Sequence, residues 1–247
     1  MSDAPPPALG TSEELIKVAA HWTHLLTSFV ELRGRYALLH PMLFTERVAE
    51  QYGSLDQRRG FGILRDTLFL FCCQDIAKML WDDHKTTPSI LRLMQKLHRV
   101  EVRSALRQQN IINRSEVNRE EQEATFAALH EEKAAQEGAA GVAQFDKSYE
   151  EINLLWQDLS STKLLSDFKI IRDRITAHTH LQVTNGRYEA VTLASTEIKS
   201  SDLKATIDKI QHLLTLIGHL VKDADFTWDY VDRSLTAAGD RFWRDRG

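Results

Sequence analysis

The residues best placed to do chemistry lie between Asp167 and His180, where Lys169, Arg172, Asp173, Arg174 and His178 follow one another along a helical apolar pattern. Histidine titrates near neutral pH and serves as base or acid. Arginine stays charged and offers a planar fork of donors to phosphate oxygens. Those two residue types suffice to cleave a ribose phosphodiester without metal. One group takes the proton from the 2′-hydroxyl, one protonates the leaving 5′-oxygen, and the guanidinium stabilises the phosphorane. The products would be a 2′,3′-cyclic phosphate and a 5′-hydroxyl.

At about 100° per residue, Leu164, Phe168, Ile171, Ile175 and His178 share one stripe, so His178 ends an apolar face. Arg174 then lies about 40° from His178, and Arg172 about 120° away. Local geometry therefore favours Arg174. The same histidine also fits a plain cap against a helix dipole. His178 and His180 have the spacing of a metal pair, but no acidic or thiol partner stands nearby in sequence. No metal and no cofactor are expected.

A second feature is Asp75, near the middle of an apolar stripe (Leu64, Leu68, Phe71, Cys72, Ile76, Met79) in a helix predicted from Arg59 to Trp81. A buried carboxylate needs a partner. Arg172, Arg174 and His178 are the expected ones, so this helix should pack against the motif helix, and losing Asp75 should cost roughly 1–3 kcal/mol or more.

Several further elements must position these groups. A first helix runs from a cap at Thr11 or Ser12 to about Arg35, and Ser89 caps a short helix through Leu97. Residues of about 101–144 are charged and Ala-rich, and read as an exposed helical insertion broken at Gly138 and Gly141. A helix from about Phe145 carries Tyr149, Ile152, Trp156 and Leu159 on one stripe and is broken or kinked at the Ser160-Ser161-Thr162 cluster. Past the motif, Leu181 to Val191 reads as a small hairpin, because Asn185-Gly186 suits a type I′ turn; it would carry Arg187 beside the site. Ser201-Asp202 then caps a helix with Leu203, Ile207, Ile210, Leu214, Ile217 and Val221 on one face and His212 and His219 on the other. Residues from Thr227 onward form a last helix that docks aromatics.

Composition limits what such a chain can be. With 247 residues, 43% of them hydrophobic, it can bury a real core. A formal net charge of −4 gives no global basic footprint. A nucleic-acid site must then be local, and Lys169, Arg172, Arg174 and Arg187 supply a candidate. The only cysteines, Cys72 and Cys73, are adjacent on a helix and form no disulfide framework, which fits a reducing cytoplasm. The first ten residues read as a flexible tail, leaving 11–247 as a single domain. No apolar run is long enough to span a bilayer.

The motif resembles the Arg-polar-x-His signature of the HEPN superfamily, with Arg172 as its arginine, Asp173 in the polar slot and His178 as its histidine. Upstream, Asp75 to Leu80, the acidic Asp82-Asp83 and the Ser89-Ile90 start resemble the type-U abortive-infection proteins of bacteria. The resemblance implies an all-α bundle, here with one small β-hairpin after the motif helix, and usually a homodimer. It implies a metal-independent endoribonuclease of a phage-defence or toxin–antitoxin system, with Arg172 and His178 catalytic and Asp173, Arg174 and Asp75 supporting. RNA is then the substrate, with an antitoxin or a nucleotidyltransferase as a further partner. The alternative is a non-catalytic HEPN module in which the motif holds a nucleotide or a partner protein.

Overall fold

A computed structural model describes residues 9–84, 86–120, 127–176, 181–184, 187–190, 198–224 and 226–244, with backbone alone at 9–11, 111–137, 174, 176, 181–184 and 187–190. The described residues are overwhelmingly helical. In order they are α1 (Leu9–Phe44), α2 (Glu46–Glu50), α3 (Leu55–Trp81), α4 (Ile90–Leu97), α5 (Val100–Glu120), α6 (Ala127–Ser161) and α7 (Lys163–Ile170), then a π-helical turn (Ile171–Thr176). Two four-residue strands follow, β1 (Leu181–Thr184) and β2 (Arg187–Ala190), antiparallel with Leu181 opposite Ala190 and Thr184 opposite Arg187. The chain closes with α8 (Ser200–Lys222) and α9 (Trp228–Arg244).

Helix α1 is the axis of the bundle, packed by α3, α8, α9, α5 and α4. Its buried positions Leu25, Phe29, Leu32 and Leu39 recur at helical spacing and meet Ile76 and Leu80 of α3, Leu93 and Leu97 of α4, and Ile207, Ile210 and Ile217 of α8 in one core. The predicted stripe of α8 is buried at all six positions. Trp22 of α1 pins α8 by donating its indole N–H to the Leu214 carbonyl at 2.8 Å. Trp228 of α9 donates to the Thr215 hydroxyl at 2.8 Å.

Three expectations are corrected. Helix α1 runs to Phe44, with Pro41 inside it, rather than stopping near Arg35. Gly138 and Gly141 lie within α6, which is unbroken from Ala127. An isolated glycine weakens a helix by only about 1 kcal/mol, and the stripe that follows is deeply buried, with Phe145, Tyr149, Ile152 and Leu159 in the core. The face of α3 is also rotated from the predicted one. Leu64 and Phe71 are 42% and 48% exposed, while Phe69, Cys73, Ala77 and Leu80 are buried. This helix is apolar on two adjoining faces, so period alone did not identify the inner one. It starts at a Ser54 capping box, with the Ser54 hydroxyl and the Gln57 side chain each bonding the other's backbone N–H.

The start of α4 carries a pH-sensitive contact. The Ser89 N–H donates to Nε2 of His21, 2.9 Å away in the core, so that nitrogen is unprotonated. Burial, reinforced by the charge of Lys96, holds the imidazole down at about 4 rather than the usual 6.5. Below pH 6.5 the unfolded chain therefore takes up a proton that the native one refuses. Stability contributed by neutral His21 is complete above that pH and is lost as pH falls toward about 4. Its size is about 3 kcal/mol. Denaturant titrations between those limits should show this slope in the native chain, and the His21→Gln variant should lack that part of it.

Candidate functional site

The turn that precedes His178 continues from α7 and packs on α3. Helix α6 ends at Ser161, where the Thr162 hydroxyl bonds back to the Leu159 carbonyl at 3.1 Å. Helix α7 begins one residue later and buries Leu165 and Phe168. Its helical winding then loosens. The Ile171 N–H is shared between the carbonyls of Asp167 and Phe168, and Ile171–Thr176 continues as a π-helical turn with i→i+5 bonding. Ile171 stays buried and anchors the turn to the core. Both α7 and the turn pack on α3, the contact expected between these two helices.

The π turn changes the spacing argument. An angle of about 100° per residue no longer applies between Arg172 and Thr176, so the preference for Arg174 loses its basis. The guanidinium of Arg172 instead forks onto its neighbour Asp173, Nε to Oδ1 at 2.6 Å and Nη2 to Oδ2 at 3.2 Å. That bond, with the nearby Asp82 and Asp83 carboxylates, raises its pKa further. Lys169 sits one turn back with its ammonium 4.0 Å from the centre of the Trp81 ring. Burial and the Arg172 charge both lower its pKa.

The segment between α3 and α4 is tied down beside this turn. The Ser89 hydroxyl donates to the Asp82 carbonyl at 2.5 Å and caps α4 by accepting from the Arg92 N–H at 3.3 Å. The His84 N–H donates to the Asp82 carboxylate at 3.0 Å, and the Arg92 guanidinium donates to the Asp83 carbonyl. Lys169, Arg172 and Asp173 thus stand together with Asp82 and Asp83. His178, His180 and the Asn185-Gly186 turn lie outside the described residues. Arg174 falls in the π turn and Arg187 in β2, both with backbone alone described.

The partner expected for Asp75 is overturned. Its carboxylate accepts from Arg35 of α1 at 2.6 Å, away from the motif. Arg35 escaped the sequence reading because it lies at the point where the first helix was expected to end. Burial outweighs the guanidinium, and the Asp75 pKa is raised. A raised carboxylate pKa means stability present at low pH that is lost as pH rises, so the ion pair does not offset its own desolvation. Asp75→Asn should therefore change stability by less than about 1 kcal/mol at neutral pH, well short of the cost expected for an orphaned core charge. A urea titration of that variant checks it.

Burial pushes the Cys72 thiol up to about 12, so it is inert as a nucleophile. Among the described residues no three His, Cys, Asp or Glu side chains gather as a metal site, and no helix is long and apolar enough to cross a membrane. His212, on the outer face of α8, bonds Glu151 of α6 at 3.0 Å. The feature that sequence reasoning missed is aromatic. Trp81 and Trp156 lie nearly parallel beside Lys169, and Trp156 was read only as a core position.

A family model for the HEPN protein AbiU2 matches residues 15–242. No curated protein and no solved structure gives a significant match.

Proposed function

Because the chain belongs to the AbiU2 family of HEPN proteins, we propose that it is a metal-independent endoribonuclease of a bacterial phage-defence or toxin–antitoxin system, acting in the cytoplasm. The observation that carries this reading is the π-helical turn. Such turns recur at functional sites, and this one presents Arg172 beside Lys169 and ends two residues before His178 in sequence. Arg172 and Lys169 supply the positive charge for a phosphate, Arg172 by exchanging its fork from the Asp173 carboxylate to phosphate oxygens. Asp173 then holds the guanidinium in place until substrate arrives. His178 moves the proton, with Arg174 and Arg187 as further cationic contacts.

One His178 per chain cannot be both base and acid in a single turnover unless a second group joins it. We therefore place two copies of the motif together in a homodimer; an antitoxin or nucleotidyltransferase would be a separate partner. Sedimentation should show a dimer at micromolar concentration, and a stable monomer that still cleaves RNA would sink the two-copy arrangement. The test of the activity is digestion of total RNA by the purified chain in EDTA. Cleavage should persist in chelator and leave cyclic phosphate and 5′-hydroxyl ends. Loss of cleavage in EDTA, or cutting of single-stranded DNA as fast as RNA, would rule the mechanism out, since DNA lacks the attacking 2′-hydroxyl.

A further inference from the structure

We propose that Trp81 and Trp156, with Lys169 beside them, form a stacking platform that holds an unpaired base of single-stranded RNA next to the Arg172 turn. The inference takes its class of substrate from the ribonuclease reading above and adds how that substrate is held.

The five tryptophans fall into two groups. Trp22, Trp228 and Trp243 are buried, and each donates its indole N–H to another part of the fold, the last to the Leu38 carbonyl at 2.8 Å. They are pins between helices. Trp81 and Trp156 are only partly buried, and among the described residues no hydrogen bond holds either indole. Their rings lie 6.3 Å apart between centroids, with planes 21° from parallel. Each comes from a different helix, Trp81 from the end of α3 and Trp156 from α6, and α7 adds Lys169 over the Trp81 ring. Aromatic faces interleaved with cations are what single-stranded nucleic acid requires: rings for the bases, cations for the phosphates between them.

The charges around the pair select which part of a nucleotide goes where. Lys169 and Arg172 repel each other, and a phosphate between them relieves that repulsion. From the loop that follows Trp81, Asp83 acts on both cations and Asp82 on Arg172. A phosphate over that loop is unfavourable, whereas an uncharged base is not. The base therefore takes the tryptophans while its phosphate takes the cations. In a duplex the bases are already stacked and turned inward, so only unpaired RNA can offer one. Every base has a π-face, so the preference is for strandedness rather than sequence.

The test uses the full-length His178→Ala chain, which binds without cutting, titrated with single-stranded oligoadenylate and with duplex RNA of the same length at one salt concentration. Tryptophan fluorescence should be quenched by the single strand and much less by the duplex. Trp156→Leu should weaken single-strand binding by about fivefold to a hundredfold, the range that stacking on one ring provides, and Trp156→Phe should weaken it less. Equal quenching by duplex, or unchanged affinity in a Trp156→Leu chain whose circular dichroism and melting match the parent, overturns the platform. If Trp156→Leu fails to fold, the strandedness of the quenching and the Trp81→Phe affinity decide instead. The two readings fail separately. RNA cleavage by the native chain with no tryptophan response refutes the platform alone. Single-strand quenching with no cleavage of any RNA refutes the nuclease and leaves the platform standing.

Discussion

His178→Ala and Arg172→Ala are each expected to remove most ribonuclease activity while leaving helical content intact. Removing a positioned acid–base group costs about 10²–10⁴-fold, because the transition state loses its proton acceptor or donor. Loss of the guanidinium removes charge stabilisation where the phosphorane forms, an effect that mutagenesis at oxyanion sites places at about 10²–10³-fold. Neither substitution should unfold the chain. The turn is anchored by Phe168 and Ile171, whereas the Arg172 side chain is half-buried with its guanidinium on the exposed Asp173. Arg172→Lys keeps the charge but loses the bidentate fork, and should fall between alanine and the native residue. The assay is cleavage of a defined RNA in EDTA, with circular dichroism on the same preparations. Full activity in both alanine variants would mean that the motif only ends a helix, and the binding-module reading would take its place.

Much of the scaffold could be read from the residues where a long helix buries one clear stripe, as α8 does. The α8 face from Leu203 to Val221, the Ser89 cap of α4 and the end of α6 at Ser161 all sit where their pattern placed them. What escaped had physical causes. Period-based reasoning assumes α-helical winding, and the π turn breaks that assumption at the very residues whose relative angles mattered. A buried carboxylate announces that it needs a partner but not which one. Asp75 met Arg35, a residue forty positions earlier, because α1 and α3 lie side by side. Cation–π and ring–ring contacts between α3, α6 and α7 are tertiary, so the Trp81 cluster had no local signature. The homodimer and the roles of Arg174 and Arg187 stay as proposals from the motif and the family, whereas the charged 101–144 stretch, expected from its composition to be exposed, buries Val102 and Leu106 in the core.

Two glycine-to-alanine changes should move stability in opposite directions. Gly60 lies inside α3 with nothing within 4 Å of the position a Cβ would take. Gly60→Ala there removes backbone entropy from the unfolded chain and should stabilise by about 0.5–1 kcal/mol. Gly239 lies in α9 against α1, and a Cβ there would come within 2.3 Å of the Ala37 carbonyl oxygen. That carbonyl is exposed to approach for a covalent reason. Its helical donor would be the N–H of residue 41, which is Pro41 and has none. Gly239 seats its bare Cα on this gap, and Trp243, one turn on, donates its indole N–H to the next carbonyl, Leu38, at 2.8 Å. Backbone cannot yield as a side-chain tip can, so Gly239→Ala must push α9 off α1. The cost should be about 3 kcal/mol, the upper end for overpacking, despite alanine's better helix propensity. Thermal or urea unfolding of the two variants gives the sign directly, and the Trp243 emission of Gly239→Ala should shift as its site opens. A Gly239→Ala chain as stable as the native one would mean that α9 does not pack this closely on Ala37.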